Sequence, residues 1–247
     1  MPRTGVFLVT GAGSGIGQAV SLRLIEAGHQ VFGLGRSVGK LEATAKLSPG
    51  FSYCAADLAS AEDTARALAG FRQWRQTRPL LGVVNNAGVF DRLSFRDSPD
   101  SIWEKQFQNN LLSAVRLTRE LYTELKASAP SSVLNISSTL GLRPVANTSA
   151  YSALKAAMIN WTESLAAEWA PSKIRVNCIC PGLVDTPIHS FHGMSDSTEA
   201  RTAAHSAQPL GRLGKPMDVA EAAWFLLSEN SSWTTGSILK VDGGIGL

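Results

Sequence analysis

Glycines at positions 11, 13, 15 and 17 follow directly on the apolar run Val6-Phe-Leu-Val9, and this pairing constrains the fold more than any other stretch of the chain. The apolar run reads as a buried strand, the glycines as a tight loop, and the residues from Gly15 onward as the opening of a helix. Without a Cβ the loop backbone turns sharply and lies close against a ligand, while the helix start offers unpaired N–H groups and the positive end of its dipole. Such a corner suits a phosphate or pyrophosphate. The spacing is T-G-x-x-x-G-x-G rather than G-x-G-x-x-G, because Ile16 stands where the third glycine counted from Gly11 would fall. No Gly-Lys-Ser/Thr follows, so the loop is not a P-loop.

Strand-like runs recur near 5–10, 30–35, 51–56, 80–85, 131–137, 173–179 and 237–241. Between them lie segments of helical periodicity, such as Leu111, Leu112, Val115 and Leu121. The alternation predicts an α/β fold, a single-domain Rossmann-type doubly wound sheet of about seven parallel strands with helices on both faces. At 247 residues, 44% hydrophobic and 17% charged, the chain can bury one sizeable core, and no composition break marks a linker. In such sheets ligands sit beyond the carboxyl ends of the strands. Gly11, Arg36, Asp57, Asn86, Ser138 and Pro181 each follow an expected strand.

Tyr151 and Lys155 stand four residues apart in a run that reads as helix, with Ser138 thirteen residues upstream. The spacing sets phenol and ammonium on one helical face. A free tyrosine, with a pKa of about 10, exchanges protons poorly near neutrality unless a fixed cation stabilises its phenolate. Tyr151 is therefore a candidate acid and base tuned by Lys155, and Ser138 a candidate hydroxyl for the same substrate oxygen.

Thr10–Gly17, Asp57-Leu58, Asn85-Asn-Ala-Gly88, Asn110 in Trp103-x6-Asn110-Leu, the Ser138, Tyr151 and Lys155 set, Pro181-Gly-Leu-Val-Asp-Thr186 and Val241-Asp-Gly-Gly244 occur in that order. Nearly end to end, the series resembles the short-chain dehydrogenase/reductase family, with a layout similar to its 3-oxoacyl-[acyl-carrier-protein] reductases. The resemblance implies an NAD(P)-dependent oxidoreductase that moves a hydride between nicotinamide and a carbonyl or secondary alcohol of a small or carrier-linked ketone, 3-oxoacyl, sugar or steroid substrate. It implies Asn110, Ser138, Tyr151 and Lys155 as the catalytic set, with Asn110 holding a water that links Lys155 to solvent. Cofactor contacts are implied at Gly11, Ser14, Gly15, Ile16, Gly17, Asp57, Leu58, Asn86, Ala87, Gly88, Tyr151, Lys155, Pro181, Gly182, Val184 and Thr186. A substrate lid is implied at 185–206, within one domain spanning 1–247. A homotetramer is implied through helices matching 99–126 and 149–170 and the C-terminal strand. Other readings stand beside these. Asn110 could bridge a helix kink, Asp57 could cap the next helix, and Asn86 could satisfy loop backbone.

Cofactor choice turns on the end of the second expected strand, where Gly35 occupies the position of an acidic residue and Arg36 follows. A carboxylate there would bond the ribose 2′-OH of NAD, whereas an arginine accommodates the 2′-phosphate of NADP. NADP(H) is expected over NAD(H), with Ser37 and Lys40 adding contacts. The net charge of +3 comes from scattered lysines and arginines, so no nucleic-acid partner is expected. No apolar run reaches the length of a membrane helix. With the first strand so near the start, no signal peptide is expected, and the three cysteines fit a reducing, cytoplasmic compartment. The thiols of Cys178-x-Cys180 are expected on opposite faces of an apolar strand, without a metal. A non-catalytic cofactor sensor or scaffold on the same fold is the alternative, and the complete Asn110, Ser138, Tyr151, Lys155 set argues against it.

Overall fold

Residues 4–190 and 208–247 are described by a computed structural model. The seven expected strands are β1 (Val6–Thr10), β2 (Gln30–Gly35), β3 (Phe51–Ala55), β4 (Leu80–Asn85), β5 (Ser131–Ile136), β6 (Ile174–Pro181) and β7 (Ile238–Val241). They form one sheet in the order β3-β2-β1-β4-β5-β6-β7, and every neighbouring pair is parallel. β6 runs two residues past the expected end because Pro181 still pairs with Val241 of β7. Most of the expected lid, 191–206 with His192 and Gly193, falls outside the described residues.

All five residues of β1 are buried, as a central parallel strand covered on both faces requires. Alternation divides them. Val6 and Leu8 join the core beneath α3 (Ala61–Arg75), α5 (Ser113–Glu120), α6 (Tyr122–Ala127) and α7 (Ser149–Trp169). Phe7 and Val9 join the core shared with α1 (Gly15–Glu26) and the last helix, Pro216–Leu227, while Leu41 reaches it from α2 (Val38–Leu47). Each fully buried leucine or phenylalanine contributes about 1.5–3 kcal/mol, so the two cores fix the strand ends to which the functional loops attach.

Candidate active site

The glycine loop is held by residues of the neighbouring strand end. Thr10 Oγ1 accepts the backbone N–H groups of Asn86 and Ala87, each at 2.9 Å, and donates to the Val84 carbonyl at 3.3 Å. Asn86 Nδ2 returns hydrogen bonds to the Thr10 carbonyl at 2.9 Å and the Gly11 carbonyl at 3.4 Å. A Cβ on Gly17 would lie 2.3 Å from the Gly11 oxygen and 2.5 Å from Asn86 Nδ2, so loop, helix start and brace leave no room for a side chain. Ser14 precedes α1 without spending its hydroxyl on a cap, and Ile16 lies on the wall of the adjoining cavities. Asn86 thus serves the loop backbone through its amide, and Thr10 is a structural partner that the motif reading did not single out.

A groove of about 560 Å³ runs from Arg36 and Lys40, past Gly11, Ser14 and Gly15, to Asn86–Asp91 and Thr186. A side depression of about 190 Å³ adds Asp57, Leu58, Gly13 and Ser113. Arg36 and Asp57 are exposed, whereas the Leu58 side chain is buried. Asp57 does not cap the following helix. Ser60 does, accepting from Asp63 N at 3.2 Å, because Asp57 Oδ1 is turned onto Ala59 N at 3.1 Å. Ser37 caps α2, its oxygen accepting the Lys40 amide at 3.4 Å. The glycine cradle, a groove of this volume and exposed cations at one end suit a dinucleotide.

Ser138, Tyr151 and Lys155 line one cavity of about 330 Å³ that shares Ile16, Asn86, Gly88, Phe90, Thr186 and Ile188 with the long groove. Tyr151 is buried edge-on against Phe90, with ring centroids 4.7 Å apart. Burial pushes its hydroxyl up to about 12, and a hydrogen bond with the Ser138 side chain pulls the other way. Lys155 Nζ lies 5.6 Å from the Tyr151 ring centroid and donates to the Ile136 carbonyl at 2.8 Å. Burial brings this amine down to about 8, with the Cys178 and Cys180 sulfurs acting against the fall. The expectation that Lys155 sets a low tyrosine pKa is not met in this state. Desolvation of the phenolate dominates, and the ammonium sits over the ring, bonded to main chain.

Asn110 is fully buried in a π-helical turn, Gln108–Leu112, between α4 (Asp100–Phe107) and α5. Its Oδ1 accepts Val89 N at 2.8 Å, and its Nδ2 donates to the Val89 carbonyl at 2.9 Å and to Gln106 Oε1. The amide therefore pins the segment after β4, at the kind of helix irregularity that accompanies functional sites. A Cβ on Gly88 would come within 2.6 Å of Asn110 Oδ1 and 3.9 Å of Lys155 Nζ, which places this glycine between the two. Gln106, one helical turn before Asn110 and itself fully buried, was not anticipated; its spacing of four is the signal.

Pro181 closes β6 and accepts Thr139 Oγ1 at 3.3 Å, and Gly182 N bonds the Val241 carbonyl at 3.1 Å. Val184 is buried in a bridge to Gly214, and Thr186 reaches back toward the glycine loop, 3.1 Å from where a Cβ of Gly15 would stand. Cys178 and Cys180 lie on the same face of β6 near Lys155, the Cys178 thiol donating to the Ile179 carbonyl at 3.6 Å. The expectation of opposite faces is wrong, since strand side chains two apart point the same way. Phe90 and Arg92, in the loop after β4, also line the catalytic cavity and were not foreseen.

A family model described as enoyl-(acyl carrier protein) reductase matches residues 11–246. The chain belongs to the short-chain dehydrogenase/reductase family. Among curated members of the family it is 35% identical to L-xylulose reductase of Bos taurus over 96% of this chain and 94% of the relative. It is 33% identical to a 3-oxoacyl-[acyl-carrier-protein] reductase of Chlamydia muridarum over 96% of each. The solved 3-ketoacyl-(acyl-carrier-protein) reductase of Brucella melitensis, complexed with NADH, superposes with a TM-score of 0.91 at 30% identity, over 98% of both chains. An actinorhodin polyketide ketoreductase variant with NADPH gives 0.91 at 29% identity, over 98% of this chain and 97% of that one. This short-chain dehydrogenase/reductase is an oxidoreductase of CH–OH and C=O groups that uses a nicotinamide cofactor. Among the described residues no helix is long and apolar enough to cross a membrane.

Proposed function

We propose that this chain is an NADP(H)-dependent carbonyl reductase or alcohol dehydrogenase in which Ser138, Tyr151 and Lys155 form the reacting site. One observation carries the reading: these three side chains meet in a cavity continuous with the groove along the glycine loop. Bound there, the nicotinamide would supply or accept the hydride. The chain's own part is proton handling and orientation. In the reductive direction the Ser138 hydroxyl donates to the carbonyl oxygen, and Tyr151 Oη gives its proton to the same oxygen as negative charge grows. With a pKa near 12, Tyr151 is fully protonated at neutral pH and starts the step as the acid. Lys155, near 8, remains mostly charged there, and its ammonium offsets the phenolate left behind.

Arg36 and Lys40 at the far end of the groove support a preference for NADP(H), since a guanidinium grips a phosphate in bidentate fashion. Asn110 acts by holding Val89 and Gly88 in place beside Lys155. Thr186, Val184 and the Pro181-Gly182 turn form the nicotinamide side. The remaining parts of the proposal are one domain over 1–247, a lid at 185–206, a cytoplasmic homotetramer, and a substrate that is a ketone, sugar, steroid or 3-oxoacyl compound. Oxidation of NADPH and NADH measured against a ketone, 3-oxoester and sugar panel tests the reading. Turnover with at least one carbonyl class, faster with NADPH, is expected; no turnover with either cofactor would overturn it.

A further inference from the structure

We infer that Arg92 is a specificity-determining residue that selects carbonyl or alcohol substrates carrying an anionic group, a carboxylate in the simplest case. The inference rests on the catalytic cavity being the carbonyl site. Among its described lining residues are two cations, Lys155 and Arg92, and no carboxylate. Lys155 is buried and bonded to the Ile136 carbonyl. Arg92 is exposed, and among the described residues no hydrogen bond or salt bridge engages its guanidinium. Its neighbour Asp91 does not neutralise it, because that carboxylate is taken by Lys105 at 2.9 Å and Gln106 at 3.1 Å.

The segment that presents Arg92 is fixed on both sides. Two residues earlier, Phe90 packs edge-on against Tyr151, and one residue later Leu93 N donates to the Asn147 carbonyl at 3.0 Å, just before α7. Arg92 thereby lines the same cavity as Tyr151, whose described walls include Leu140, Val145, Leu183, Ile188 and Ile245 beside Asn86, Ser137, Thr139, Thr148 and Thr186. With no carboxylate beside it among the described lining residues, the guanidinium favours a carboxylate that it can bind through two parallel hydrogen bonds. The arrangement fits a compact apolar skeleton with its carbonyl at Ser138 and Tyr151 and its carboxylate at Arg92.

The test compares 4-oxocyclohexanecarboxylate with its neutral isostere 4-oxocyclohexanecarboxamide as substrates of the full chain. The wild type is expected to prefer the acid by about tenfold in kcat/KM, Arg92→Gln to bring that ratio close to one, and Arg92→Lys to keep part of it. Calorimetry with cyclohexanecarboxylate, which lacks a reducible carbonyl, reads the contact without turnover; about tenfold weaker binding by Arg92→Gln supports the assignment even if neither ketone reacts. Equal use of both ketones by the wild type, a preference that survives Arg92→Gln, or equal binding of cyclohexanecarboxylate would overturn it. Equal reduction of both ketones would leave the carbonyl-reductase reading standing, so the two failures are distinguishable.

Discussion

At the glycine-loop end of the groove the groups that face a ligand are main chain and the exposed side chains of Arg36 and Lys40, whereas at the Tyr151 end two of them, Tyr151 and Lys155, are side chains taken out of water. The first end is held from behind by Thr10 and Asn86. At the second, burial has moved a phenol up to about 12 and an amine down to about 8. Solvated cations act independently and weakly, so grip on a cofactor accumulates in small increments. Desolvated groups act together, and loss of one disables the set.

The largest departure between the two ends is expected for Tyr151→Phe. Turnover should fall by about 10³-fold, in the range of a lost general acid, while cofactor affinity measured by fluorescence titration changes little. A variant that keeps wild-type turnover removes Tyr151 from the mechanism. Gly17→Ala attacks the other end through its backbone, because the new Cβ would sit 2.3 Å from the Gly11 oxygen. It should cost about 3 kcal/mol in chemical denaturation and weaken the cofactor with it.

Lys155→Met separates stability from chemistry. The fall from an ordinary 10.5 to about 8 corresponds to about 3 kcal/mol of cost for keeping the buried ammonium charged. After subtracting about 2 kcal/mol for the lost charge-assisted bond to the Ile136 carbonyl, the inactive variant should be about 1 kcal/mol more stable than the wild type at pH 7. Below about pH 8 the lysine is charged in both states and the cost is full. Between about 8 and 10.5 the unfolded chain holds more protons than the folded one, so wild-type stability rises with pH and the gap closes. A gap that stays constant across that window would show that Lys155 carries no burial penalty. The smallest effect is expected at the exposed end: Arg36→Ala should raise the KM for NADPH about tenfold, leave that for NADH nearly unchanged, and matter less as salt increases.

The glycine end was legible from sequence because its chemistry is written in spacing. Gly11, Gly15 and Gly17 are needed wherever a strand turns into a helix against a phosphate, and all seven strands announce themselves as short apolar runs. The catalytic end was legible in residue identity but not in energetics. That Tyr151 and Lys155 share a helix face follows from their spacing; that Lys155 is bonded to a carbonyl of β5 and lies over the ring follows from how α7 docks, which no local pattern encodes. The partners of Thr10 lie on another segment, and Gln106, although four residues from Asn110, takes its second partner, Asp91, from the loop after β4. Nothing in the sequence sets Arg92 apart from a surface arginine; the packing of the loop after β4 against Tyr151 does.

The stitch between Thr10 and Asn86 joins residues 76 positions apart. During synthesis, then, the first strand, loop and helix leave the ribosome long before the residues that give the loop its shape. A nascent chain that ends within α3 has the glycines but lacks Asn86 and Ala87, which brace the loop. A cradle able to hold a nucleotide, and with it any stabilisation by binding, can therefore form only once the fourth strand has emerged and paired with the first.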